Sequence, residues 1–103
     1  MIHLQVTYRI RSNRIEEAER EIAAFSATLQ SNHPRFANYR IFRHADDPAN
    51  LVHIISFRDR EAQLEHTQSP HVRRFVENML ALCEYGPVYT DLTEVASRVA
   101  MTG

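Results

Sequence analysis

Seven consecutive residues, Leu51-Val52-His53-Ile54-Ile55-Ser56-Phe57, constrain this chain more than any other feature. Read as a strand, they are apolar on both faces, and such a strand wants cover on both sides. A chain of 103 residues can bury one core and not two, with about 6,000 Å² of folded surface against about 17,000 Å² unfolded. Helices of the same chain can cover one face. The economical cover for the other is a second copy of the same sheet, related by a two-fold axis.

The flanking segments supply those helices and the rest of the sheet. Residues 2–10 alternate, with Ile2, Leu4, Val6, Tyr8 and Ile10 on one face, which predicts a half-buried strand. Asn13 with Glu16 resembles a capping box. Ile15, Ala18, Ile22, Phe25 and Leu29 then recur at helical spacing, predicting an amphipathic helix over 14–31. Asn32-His33-Pro34 stops it. Strands follow over 36–44 and 51–58, joined by the turn cluster Ala45–Asn50. Asp59 can cap a short helix over 60–67. Ser69-Pro70 starts another with serine as cap and proline at the first helical position. Its apolar stripe, Val72, Phe75, Val76, Met79, Leu80 and Cys83, runs to residue 83. Tyr85-Gly86-Pro87 breaks this helix, and residues 88–95 read as the last strand. Residues 1–95 are expected to form one domain and 96–103 a tail. The order βαββαβ predicts an α+β, ferredoxin-like fold: a four-stranded antiparallel sheet with helices on one face.

Composition excludes several classes of function. All twelve basic residues are scattered arginines against thirteen acidic ones, for a formal net charge of −1. Nucleic-acid binding would need a basic stripe, and the third strand lacks the pattern of RNA-recognition domains. No apolar run approaches the roughly 20 residues of a membrane span, and the first residues do not read as a signal peptide. The lone Cys83 cannot form an internal disulfide, so a reducing cytoplasm is the simplest compartment. With glycine only at 86 and 103, no phosphate-binding glycine loop exists.

The segment from Phe57 to Val72, with its Asp59 cap, Ala62, Leu64, His66 and Ser69-Pro70-His71, resembles the signature of the antibiotic biosynthesis monooxygenase-like domains. Pro34 and Phe36-Ala37-Asn38-Tyr39-Arg40 look like the start of that family's second strand, with Arg35 where glycine is common. The likeness covers residues 2–95. It implies a dimeric α+β barrel, two ferredoxin-like sheets packed face to face, with a small-molecule pocket often lying between helices and sheet. Members include quinol and polyketide monooxygenases that use no metal or flavin, haem-degrading oxygenases, isomerases and cyclases. Fold alone does not choose among them.

His66 and His71 are the leading catalytic candidates, because they flank the break between two helices. An imidazole at the mouth of an apolar pocket can take a phenolic or α-carbon proton near neutral pH, and the resulting electron-rich anion is what reduces oxygen. Otherwise His66 fastens a helix end and His71 fills an early-helix position. Asn38 and Arg40 share one face of the second strand, where they could orient an enolate and hold a carboxylate, or face solvent or a partner. Tyr8, Tyr39 and Tyr89 sit on strands and could point phenols into the pocket, Tyr8 sharing its strand's apolar face. His53 is a neutral core histidine or a pocket base. Phe75 completes the substrate-binding set. His66 and His71 lack helical metal-pair spacing, and no ligand set closes a zinc site, so no metal and no cofactor is expected. Cys83 reads as a buried, inert thiol. Absence of tryptophan argues against the haem-degrading relatives. The expectation is a cytoplasmic homodimer that oxygenates, cyclises or isomerises an aromatic, quinol or polyketide-like small molecule. The alternatives are a non-catalytic barrel that binds a small ligand, and a haem-binding protein.

Overall fold

The computed structural model describes residues 1–32 and 36–98. The elements are β1 (Ile2–Ile10), a 3-10 turn (Ser12–Arg14), α1 (Ile15–Asn32), β2 (Phe36–Arg43), β3 (Asn50–Phe57), α2 (Arg60–Gln68), α3 (Pro70–Leu80) and β4 (Cys83–Leu92). The strands form one antiparallel sheet in the order β2-β3-β1-β4. This is the ferredoxin-like α+β fold that the element order predicts. His33, Pro34 and Arg35, where the helix stop and the start of the second strand were expected, lie outside the described residues, as do residues 99–103 of the expected tail. Residues 93–98 carry no helix or strand and are exposed.

Alternation decides which side chains enter the core. Val6, Tyr8 and Ile10 of β1 are buried, as are Leu51, His53, Ile55 and Phe57 of β3. The register places Val6 opposite His53 and Leu4 opposite Ile55, so both sets share the face under the helices. Ala18 and Phe25 of α1, and Val72, Phe75 and Met79 of α3, close over that face. Phe25 and Phe75 stack with ring centroids 4.0 Å apart, which locks α1 to α3 above the sheet.

Local chemistry corrects two expected helix starts. The Asn13–Glu16 box does not cap α1; the 3-10 turn follows Arg11, with no side-chain cap. Arg11 is instead docked on the turn between α3 and β4, its N–H donating to Leu82 O at 3.0 Å and its guanidinium to Ala81 O. That tertiary contact sets where α1 begins. Asp59 does cap α2, accepting from the Ala62 N–H at 2.8 Å. Ser69 occupies the cap position of α3 with Pro70 following, but its side chain makes no cap bond. Its N–H closes α2 instead, donating to His66 O at 3.1 Å.

The last strand differs most from expectation. β4 starts at Cys83 rather than 88, α3 ends at Leu80, and Cys83 pairs with Ile10 instead of extending the helical stripe. The strand passes through Gly86 and Pro87 by a register shift between Thr7 and Arg9. Gly86 makes this possible with φ +88°, a region that L side chains rarely adopt. β4 is an edge strand, so Pro87 can sit there without breaking a ladder on its outer side.

The second sheet face carries His3, Gln5, Thr7 and Arg9 of β1 in register with Ser56, Ile54, Val52 and Asn50 of β3. His3 Nδ1 lies 2.7 Å from Ser56 Oγ. Arg9 bridges Asp47 of the β2–β3 turn and Glu84 of β4. Val52 and Ile54 are only half-buried here, and Phe42, Val88 and Leu92 are exposed beside them. No helix among the described residues is long and apolar enough to cross a membrane.

Candidate functional site

A cavity of about 400 Å³ lies between the helix-facing side of the sheet and the α2–α3 arm. That volume suits a ligand of two or three fused rings. β1 contributes Leu4, Val6 and Tyr8, β2 Tyr39, β3 His53 and Ile55, and β4 Cys83, Pro87 and Tyr89. The helices add His66 and Thr67 from the end of α2, and Val72, Arg73, Phe75, Val76, Glu77, Met79 and Leu80 from α3.

The polar groups of the inner end form a connected set. His53 is buried, with Nε2 at 2.6 Å from Tyr8 Oη and Nδ1 at 3.1 Å from Tyr39 Oη. Burial lowers the His53 pKa from 6.5 to about 4, so the ring is neutral at physiological pH. A neutral imidazole has one donor and one acceptor nitrogen. The short contact suits the Tyr8 O–H donating to Nε2, and the longer one suits Nδ1–H donating to Tyr39 Oη. Burial pushes both phenol pKa values far up, with the Tyr39 phenol adding to the effect on Tyr8. The phenols are therefore protonated at neutral pH.

His66 faces the same group from the helix side. It is buried, with its ring centroid 5.9 Å from Tyr39 and 5.2 Å from Phe57. It sits one helical turn after the buried Ala62, so α2 turns the two inward together. Phe75 walls the cavity 6.1 Å from His53. Cys83 is half-buried on the lining, and burial raises its thiol pKa.

Of the residues singled out from sequence, Tyr8, Tyr39, His53, His66, Phe75 and Tyr89 line this cavity. His71 does not: it is exposed on α3 and absent from the lining. Asn38 and Arg40 do not either. They project from β2 on the sheet's other face, level with Ser56 and Ile54, and Arg40 lies over the Phe42 ring at 5.3 Å. Arg73, Glu77 and Thr67 were not singled out, although Arg73 and Glu77 border the stripe of α3 at positions a helical wheel would mark. Among the described residues, no group of three or more His, Cys, Asp or Glu gathers to hold a metal ion.

Fold and cavity together define a small ferredoxin-like domain with a mostly apolar, aromatic-walled pocket under its second helical arm. A family model for antibiotic biosynthesis monooxygenases matches residues 1–78, and the chain belongs to that family. Solved structures repeat the fold over nearly the whole chain. A crystal structure described as an antibiotic biosynthesis monooxygenase is 20% identical with a TM-score of 0.84, covering 93% of this chain and 100% of that one. Rv0793 from Mycobacterium tuberculosis is 18% identical with a TM-score of 0.81, covering 95% and 98%. PA3566 from Pseudomonas aeruginosa is 23% identical with a TM-score of 0.78, covering 92% and 94%. At these identities the likeness carries the fold alone. No curated protein sequence matches the chain.

Proposed function

We propose that the protein is a cofactor-independent monooxygenase acting on an aromatic, quinol or polyketide-like small molecule. The observation that carries the reading is the meeting of His66 with the Tyr8–His53–Tyr39 set on one apolar cavity. The neutral phenols of Tyr8 and Tyr39 can orient a substrate oxygen. His66 can then take the acidic proton. For a ring methylene flanked by carbonyl or aryl groups, His66 removes one C–H proton. The carbanion gives its electrons to O2 and a C–O bond forms. The peroxide is protonated from His66, the second C–H proton leaves to the same imidazole, and the O–O bond breaks. One oxygen atom ends in the new carbonyl, and the other departs as water. His53, with its pKa near 4, is too weak a base for this task at neutral pH and serves to position Tyr8 and Tyr39.

A second copy of the chain belongs to this reading. The half-buried Val52 and Ile54, with Phe42, Val88 and Leu92 beside them, need cover on the outer face. The single chain exposes 7347 Å², against about 6,000 Å² for a folded monomer of this mass. The reading places the dimer in the cytoplasm, where the lone thiol stays reduced.

The test is oxygen uptake with a panel of anthrones and hydroquinones. His66→Ala and His66→Gln should lower kcat about 100-fold or more, while His71→Ala should change it less than about twofold. Full activity in both His66 variants, or no uptake with any member of the panel, overturns the reading.

A further inference from the structure

We propose that the cavity takes a phenolic carboxylate, its ring hydroxyl against Tyr8 and His66 and its carboxylate against Arg73 on the exposed side. This rests on the reading of the cavity as the substrate site and goes on to specify the substrate's charge.

The polar lining is divided in space. The buried and half-buried part of it is the phenols of Tyr8 and Tyr39 and the imidazoles of His53 and His66, from β1, β2, β3 and the end of α2, while the Tyr89 phenol of β4 is exposed. The Tyr8, Tyr39 and His53 side chains there are uncharged at neutral pH. A full carboxylate beside them would meet no arginine among the described lining residues there and would lose its hydration, which is strongly unfavourable. A hydroxyl or carbonyl is well served by such partners. The exposed side is different. Arg73 and Glu77, both exposed, line the cavity's outer side from α3, one turn and about 6 Å apart along the helix axis.

Arg73 makes no ion pair among the described residues, and its planar fork matches a carboxylate in two parallel hydrogen bonds. The charges on α3 favour an anion over a cation. The helix carries Arg73 and Arg74 against Glu77 alone, with no acid in its first turn. Glu77 then bounds the anion site on its carboxyl-terminal side, where it can accept from a ligand hydroxyl. The apolar walls between the two ends, Val6, Val72, Phe75 and Val76 among them, suit a flat ring system rather than a polar chain.

The experiment is calorimetric binding to the intact protein, using 6-hydroxy-2-naphthoate, its methyl ester and 6-(aminomethyl)-2-naphthol as probes, whose two polar groups stand at opposite ends of the ring system. The acid should bind about fivefold or more tighter than its ester, as expected for a partly exposed charge pair. The acid-to-ester ratio should fall to near one in Arg73→Gln, should persist in Glu77→Gln, and should shrink with added salt. An equal affinity for acid and ester, a ratio unchanged by Arg73→Gln, or tighter binding of the amine overturns the proposal. Circular dichroism verifies that each variant is folded. Oxygen uptake separates this inference from the one before it. Arg73-dependent binding without turnover of any substrate upholds the ligand class and removes the oxygenase. Turnover of neutral anthrones with no carboxylate preference does the reverse.

Discussion

His53 should make this fold sensitive to acid over a defined window. The side chain is 3% exposed, and desolvation lowers its pKa from 6.5 to about 4. The unfolded chain takes up the proton near pH 6.5, while the folded chain resists it until about pH 4. Between those values the unfolded state binds one more proton, so stability rises with pH by about 1.4 kcal/mol per unit. The contribution is complete above about pH 6.5 and is lost progressively as the pH falls towards 4, to a total of about 3 kcal/mol. Below about pH 4 both states are protonated and this group adds no further loss. The perturbation that isolates it is His53→Gln, which keeps one acceptor and a donor for Tyr8 and Tyr39 but does not titrate. At neutral pH the variant should be about 1 kcal/mol less stable, from poorer hydrogen-bond geometry. It should overtake the native protein between about pH 5 and 6, where the histidine has forfeited more than that. Urea unfolding followed by circular dichroism, at fixed protein concentration in half-unit steps, gives both curves. Taking their difference cancels Asp47 and every other acid common to the two. A difference that stays flat from about pH 7 to 4, or slopes the other way, refutes the desolvated, neutral imidazole.

Other substitutions test the packing and the uncovered face. Gly86→Ala should destabilise by about 2 kcal/mol or more, because the new Cβ at φ +88° would lie 3.0 Å from Thr7 O and from Cα and Cβ of Tyr8; an unchanged urea midpoint would contradict this. Phe75→Ala removes a buried ring stacked on Phe25 and should lower stability by about 3–5 kcal/mol, whereas Phe75→Leu should lose less than about half of that. Ile54→Arg places a charge on the outer face opposite Gln5 and Arg40 and should convert a dimer into a monomer in sedimentation velocity. A native protein that sediments as a monomer at micromolar concentration would remove the second copy from the argument.

Most of the fold was legible because its signals are local. The alternation of β1 and the helical spacing of α1 are each readable within one segment, and both elements form within a residue or two of the expected bounds. The failures occur where a distant contact decides. Cys83 continued the helical stripe on paper, but pairing with Ile10 draws it into β4. By local rules alone Tyr85-Gly86-Pro87 ends the preceding helix and delays the last strand to residue 88. In the sheet, a positive-φ glycine permits a bulge, so the same residues let β4 run on from Cys83 to Leu92. Asn13 has capping chemistry, yet the docking of Arg11 on Ala81 and Leu82 places α1 without it.

The candidate site divides on the same principle. Strand parity alone puts Tyr8 and His53 on inward faces and Asn38 and Arg40 on the outward one, but only once β2 is known to share the helix-covered face through Tyr39. The contact between His53 and the two phenols additionally requires both registers, Val6 opposite His53 and Tyr39 opposite Ile55. A slip in either would separate the rings. On α3, the distinction between His71 and Arg73 was available from about 100° of rotation per residue. Measured from Val72, Arg73 stands at about +100° and Glu77 at about +140°, on the flank that also carries Val76 and Leu80. His71 stands at about −100°, on the opposite flank. The cavity takes the first flank. A histidine chosen for its nearness in sequence to the helix break is therefore exposed on the far flank, while two charged residues that were not singled out line the cavity. Chain proximity to the break is shared by His66 and His71, but only the former lies on the helical face that α2 buries with Ala62. Orientation about the helix axis, and not distance along the chain, decides which imidazole can reach a bound substrate.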